Sequence, residues 1–220
     1  TRDTEKIQEN SQKQDDTQFR ERIVRASDQD LGSYELIKDE KELIWYPAEV
    51  NTSIRPGWFY HEEEDDQVKS LETLISIYEH SVGGNATFLL NIPPTKEGLF
   101  HENDVKRLHE IGEYQKKCYG KNLLEKASLF CEEQKKGFEI ENLRNDDYDS
   151  YFTTSDGQRN CRIHIKFDKE YDIHRVVLKE NIKKSQRIEA FRILTVHDGS
   201  EKCVFEGTVV GYKKIVLLDK

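Results

Sequence analysis

Residues 49–61 hold Glu49, Asn51, Ser53, Arg55, Trp58, Tyr60 and His61 in one short stretch. A carboxylate, a guanidinium and an indole this close together suit a neutral polyol. Charged groups hydrogen-bond hydroxyls in pairs, and an aromatic face covers the apolar C–H surface of a sugar ring. The competing account is a surface loop in which Trp58 lids the core and Arg55 pairs with the acidic run Glu62 to Glu64. Composition leaves both open. Cleavage of a glycosidic bond needs two carboxyl groups, one to donate a proton and one to act as nucleophile or base. Glu49, just beyond a short apolar run, is the carboxylate with that placement, whereas Asn91, at the end of a second run, binds but accepts no proton. A second carboxyl group would have to come from a strand outside this sequence.

Other chemistries lack their signatures. His101 and Glu102 precede His109 and Glu110, but no H-E-x-x-H spacing sets two histidines on one helical face. G-x-S-x-G, G-x-G-x-x-G and the P-loop are absent, which removes an esterase elbow, a dinucleotide fold and a nucleotidase. Asn145-Asp146-Asp147-Tyr148-Asp149 offers oxygen donors for calcium on a turn, or is simply an acidic solvated turn.

The elements that must position these residues follow from hydrophobic spacing. Leu43-Ile44-Trp45-Tyr46-Pro47 reads as a strand buried on both faces and stopped by proline. Over 66–82, Val68, Leu71, Leu74, Ile75, Tyr78 and Val82 recur at helical spacing, with Asp65 or Asp66 to cap the start and Gly83-Gly84 to end it. A second apolar run, Thr87 to Ile92, closes at Pro93-Pro94, and Asn103 can cap a further helix carrying Val105, Leu108, Ile111 and Cys118. Strand, loop, helix, strand, loop, helix predicts a parallel sheet, and a (β/α)8 barrel is one way to close it. With only two units visible, this would be the tail of a barrel.

Beyond residue 120 the texture changes. Cys161 to Phe167 alternates strictly, and β-rich stretches follow at 173–179, 188–196, 202–206 and 208–218, separated by turn-formers such as Asp198-Gly199 and Glu206-Gly207. That spacing predicts an antiparallel β-sandwich. The fold class expected is therefore α/β plus all-β, both parts truncated. Residues 1–120 form the end of the barrel, with a polar leading segment 1–40 and a short helix near 17–26; residues 121–220 form the sandwich.

Composition bounds the partners. With 43 acidic against 34 basic residues, the 220-residue chain has a formal charge of −9 and a field that repels phosphate backbones, so nucleic acid is not an expected partner. No run approaches the ~18 apolar residues of a membrane span, and Thr1 to Lys6 has no signal-peptide core. The four cysteines are far apart, with no C-x-x-C pair, and read as free thiols. Methionine is absent throughout, so the chain is expected to derive from a longer one, which leaves the compartment open.

Trp45-Tyr46-Pro47-Ala48-Glu49, then Ser53-Ile54-Arg55-Pro56-Gly57-Trp58-Phe59-Tyr60-His61, strongly resembles α-L-fucosidases of glycoside hydrolase family 29. Tyr78 to Asn85, Leu89 to Pro94 and Gly98-Leu99 resemble the same family in the same order, so the likeness covers roughly 43–112. It implies a (β/α)8-like catalytic barrel whose last two units are present. It also implies a retaining hydrolase of terminal α-L-fucose, with fucosylated oligosaccharides or glycoproteins as partners and no cofactor. The nucleophile would be an aspartate on an earlier strand. Family members differ in the acid/base: in one branch it is a Glu in the region matching Glu49. In the branch whose motif reads like Ser53 to His61, which cuts α1,3/1,4 linkages, it lies in an upstream G-N-E segment. Thr1 to Glu5 resembles residues just after that segment, but Lys6-Ile7-Gln8 replaces the expected tryptophan-containing continuation.

By the resemblance, Glu49 is a pocket carboxylate and candidate acid/base, while Trp58 lines the fucose pocket with Arg55 beside it. Residues 140–196 resemble discoidin-like, coagulation-factor type C sandwiches through Glu141-Asn142-Leu143, Asp146 to Phe152, Ile165 to Phe167 and Gln186 to Phe191. This implies a carbohydrate-binding or packing module, in some members stabilised by a structural calcium ion. An extracellular or cell-surface setting is favoured for the parent protein. The rival expectation is a noncatalytic glycan-binding module.

Overall fold

The computed structural model describes residues 32–43 and 48–218. The predicted helix near 17–26 and most of the predicted strand 43–47 lie outside the described residues. A single helical turn, α1 (Tyr34–Ile37), precedes β1 (Glu49–Ser53). Then come a 3-10 turn (Glu62–Gln67), α2 (Leu71–Ser81), β2 (Thr87–Asn91) and α3 (Glu102–Tyr119). β1 and β2 pair in parallel, Glu49 opposite Thr87 and Ser53 opposite Asn91. Parallel strands cannot be joined by a tight turn, so the chain crosses over through α2. Leu74 and Ile75 on α2 are buried and, with Ile54, form the core of this half.

Two helix starts differ from the sequence-based expectation. α2 begins at Leu71, not near Asp66, because Ser70 is the cap and accepts from the Thr73 N–H at 3.1 Å. The Asp65 carboxylate is engaged elsewhere, as described below. α3 is capped by the His101 ring, which accepts from the Asn103 N–H at 3.3 Å, while the Asn103 amide donates to the Asp65 carbonyl at 2.9 Å.

The second half is antiparallel. β3 (Ala127–Phe130) pairs with β4 (His164–Phe167), β5 (Arg175–Leu178) with β8 (Lys214–Leu217), and β6 (Phe191–His197) with β7 (Ser200–Gly207). β3 was not foreseen, being only four residues of weak alternation. Ala127, Cys131, Ile140, Val209, Val210, Ile215 and Val216 are buried in this half.

The halves meet at the end of α2. Gly83 lies against Ile215: a Cβ there would fall 2.7 Å from the Ile215 Cβ and 2.2 Å from the Glu79 carbonyl oxygen. Asn85, at φ 66°, accepts from the Lys213 N–H at 2.8 Å and donates to the Val210 carbonyl at 3.1 Å. Alongside, Glu79 pairs with Arg175 at 2.5 Å and accepts from the Tyr119 hydroxyl at 2.8 Å. Burial and that hydrogen bond to Glu79 push the Tyr119 pKa up. Among the described residues, no helix is long and apolar enough to cross a membrane.

Candidate active site

In a sheet of parallel strands followed by helices, the carboxyl ends of the strands and the loops beyond them form the natural binding face. Here those ends are Ser53 and Asn91, paired in register. The Asn91 amide donates to the Ser53 hydroxyl at 3.1 Å and to the Trp58 carbonyl at 2.9 Å. It therefore folds the β1 loop back over both strand ends. Lys69 fastens the loop from below, donating to the carbonyls of Ser53 at 2.6 Å and Arg55 at 2.9 Å. Burial lowers its pKa.

Arg55 is 0% exposed. Its Nε meets both oxygens of Asp104 at 3.1 and 3.0 Å, and Nη1 meets Asp65 Oδ1 at 2.8 Å. The guanidinium lies 4.9 Å from the centre of the Tyr60 ring, and Nη2 is buried without a partner. Asp65 also accepts from the Tyr60 hydroxyl at 3.2 Å and lies 3.3 Å from His101 Nε2. Burial would raise the Asp65 pKa, but the hydrogen bonds from Arg55 and Tyr60, with the charges of His101 and Arg55, hold it below the usual carboxylate value. One buried cation thus joins the β1 loop, the 3-10 turn and the start of α3. The indole of Trp58 is left 51% exposed at the rim.

The three residues singled out from sequence are not brought together on one surface. Trp58 is half exposed, at the end of the loop that Asn91 holds. Arg55 sits beneath it as a clamp, with no face open to a ligand. Glu49 was placed in a loop beyond a strand, but it is the first residue of β1 and exposed, at the amino end. At ~3.3 Å per residue it lies about 13 Å from Ser53 along the strand. The anchors missed from sequence were Asp104, Lys69 and the clamping role of Asp65. Asp65 had been read as a helix cap, and Asp104 has the ordinary look of a first-turn acidic residue.

The Asn145 to Asp149 turn does not fit a calcium site. Asp146 pairs with Lys179 and Asp149 with Lys183, while Asp147 accepts from the N–H groups of Asp149 and Ser150. Among the described residues, no group of three or more His, Cys, Asp and Glu could hold a metal ion.

Comparison with known proteins bears on this site directly. The family model described as Alpha-L-fucosidase matches residues 1–121. The model for anaphase-promoting complex subunit 10, whose fold is a discoidin-like β-sandwich, matches residues 101–189. Alpha-L-fucosidase 1 of Arabidopsis thaliana is 35% identical over 178 residues, covering 78% of this chain and 35% of that protein. A Ruminococcus gnavus GH29 fucosidase solved in complex with fucose superposes with a TM-score of 0.75 at 30% identity, covering 80% of this chain and 36% of that one. SpGH29 superposes with a TM-score of 0.71 at 34% identity, covering 80% and 38%. The chain spans little more than a third of the length of these relatives. With the βαβα order and the packed β1 loop, the match over residues 1–121 shows that this chain belongs to the α-L-fucosidase family, glycoside hydrolase family 29.

Proposed function

We propose that the chain is the carboxyl-terminal part of a longer α-L-fucosidase, its parent, which hydrolyses terminal α-L-fucosidic bonds with retention of configuration. Residues 1–120 complete the catalytic barrel and residues 121–220 form the appended sandwich. The observation that carries this reading is the joining of Ser53, Asn91 and the exposed Trp58 at the carboxyl ends of adjacent parallel strands. The R. gnavus neighbour, solved with fucose bound, supports fucose as the sugar. Residues Ser53 to His61 resemble the branch that cuts α1,3/1,4 linkages, and we assign the parent to it.

In this reading Trp58 receives the apolar face of the sugar. Fucose is a 6-deoxy sugar, so its C5 methyl is the apolar projection that distinguishes it from galactose, and an indole is a suited surface for it. Arg55 is a positioning residue that holds the loop through Asp65, Asp104 and Tyr60. Glu49, at the amino end of β1, is too far down the strand to donate a proton at the rim, so the acid/base and the nucleophile are both assigned to residues upstream of β1. A retaining mechanism sets its two carboxyl groups about 5 Å apart.

The test is proton NMR of fucose first released by the full-length parent from an aryl α-L-fucoside. The α-anomer should appear first and then mutarotate. First release of the β-anomer refutes retention, and binding of fucosylated glycans without release makes the protein a noncatalytic module.

A further inference from the structure

The carboxyl ends of α2 and α3 are tied together by a residue from the second half. Glu79, in the last turn of α2, is 7% exposed, and its Oε1 accepts from the Tyr119 hydroxyl at 2.8 Å and from Arg175 Nε at 2.5 Å. Tyr119 is the last residue of α3, and its ring meets that of Tyr78 edge-on, the centroids 5.9 Å apart. Arg175 is the first residue of β5. Its Nη2 donates to the Tyr114 hydroxyl, and its guanidinium lies 5.5 Å from the centre of the Tyr114 ring and 5.9 Å from that of Tyr119. One cation from the second half therefore engages both helices at once, α2 through a buried carboxylate and α3 through a phenol and two ring faces.

The amino ends of the same two helices hold the β1 loop. Lys69, two residues before α2, donates to the carbonyls of Ser53 and Arg55, and Asp104, in the first turn of α3, accepts from Arg55 Nε. α3 has 18 residues and is about 27 Å long, at about 1.5 Å per residue. A helix moves as a rod, so a tilt of about 5° released at the Tyr119 end displaces the Asp104 end by about 2 Å. Misplacing a site by about 1 Å can cost about 100-fold in rate.

We propose that Arg175 is a positioning residue for the sugar site. It touches no substrate. By bracing the carboxyl ends of α2 and α3 it fixes their amino ends, and these hold the β1 loop, and Trp58 with it, in the geometry that receives the sugar. The proposal rests on the fucosidase reading, in which Trp58 meets the sugar, and adds that the second half sets the activity of the first.

In the full-length parent, kcat/KM on an aryl α-L-fucoside would be measured well below the melting temperature, with folding checked by circular dichroism. Arg175→Met should lower it ten-fold or more. Tyr114→Phe, which keeps the Glu79 pair and the ring but removes one hydrogen bond, should lower it several-fold with the melting temperature nearly unchanged. In a Trp58→Ala background neither substitution should lower it much further, because the side chain they position is gone. A readout that needs no activity is fluorine NMR of the 220-residue chain labelled with fluorotryptophan, its Trp58 signal assigned by Trp58→Phe. Arg175→Met and Tyr114→Phe should each shift or broaden that signal. An unchanged Trp58 signal in both variants, wild-type kcat/KM in a folded Arg175→Met parent, or equal losses with and without Trp58 would overturn the proposal. A shifted Trp58 signal beside an inactive wild-type parent upholds the coupling and refutes the fucosidase reading instead.

Discussion

Arg55 and Trp58 are three residues apart and play opposite parts. The Arg55 guanidinium is wholly buried against Asp104, which is itself 0% exposed. Breaking a buried pair from one side leaves an uncompensated charge, at about 3–5 kcal/mol. Arg55→Ala should therefore lower the melting temperature of the chain by roughly ten degrees. Arg55→Lys should not rescue it, because an ammonium cannot reach Asp104 and Asp65 in the same planar fork. Differential scanning calorimetry of the two variants checks this. Trp58 is half exposed, so in the parent Trp58→Ala should leave the melting temperature nearly unchanged. It should lower kcat/KM on an aryl α-L-fucoside ten-fold or more, about 1.4 kcal/mol per decade. A normal kcat/KM with a melting point several degrees lower would make Trp58 a core lid.

Asp65 gives the site a pH signature. Its pKa is depressed in the fold, so its contribution is present above the unfolded carboxylate value and is lost as pH falls through the lower folded one. Denaturant unfolding should show this contribution intact at pH 6 and lost only below about pH 4; Asp65→Asn should lack it. The residue types around Arg55 were legible in sequence. Their partners were not, because Asp104 and Lys69 meet Arg55 only through tertiary folding.

At the scale of elements, the turn after α2 joins the two halves. Asn85 takes a left-handed backbone conformation and bonds to both Val210 and Lys213. Asn85→Ala removes both bonds and strains the backbone, which should cost about 2–3 kcal/mol. Gly83→Ala should be at least as severe, since the methyl meets Ile215 and the Glu79 carbonyl. In each variant, proteolysis should cut between the halves sooner than in the wild type.

Helical spacing in 71–81 and the apolar run at 87–91 made α2 and β2 readable, and Gly83-Gly84 ended the helix as expected. The start of α2 was misjudged because two aspartates before a periodic segment look like caps, although Ser70 takes that place. The predicted strand at 43–47 lies mostly outside the described residues, and β1, Glu49–Ser53, was read from sequence as loop. A strand with alternating exposure, such as Glu49–Ser53, shows no apolar burst.

At the scale of the whole molecule, parallel sheets are ordinarily covered on both faces and at their edges. The described parallel sheet has two strands, and Phe59 is 79% and Leu99 68% exposed. On the proposed reading, the remaining barrel strands and both catalytic carboxyl groups come from the rest of the parent. The most direct test compares initial rates of aryl α-L-fucoside hydrolysis by the full-length parent and by the 220-residue chain alone, at equal molar concentration. The account predicts steady release by the parent and none above buffer by the chain. Turnover by the chain alone at a rate near the parent's would place the nucleophile within these residues, and an inactive parent would contradict the assignment as a fucosidase.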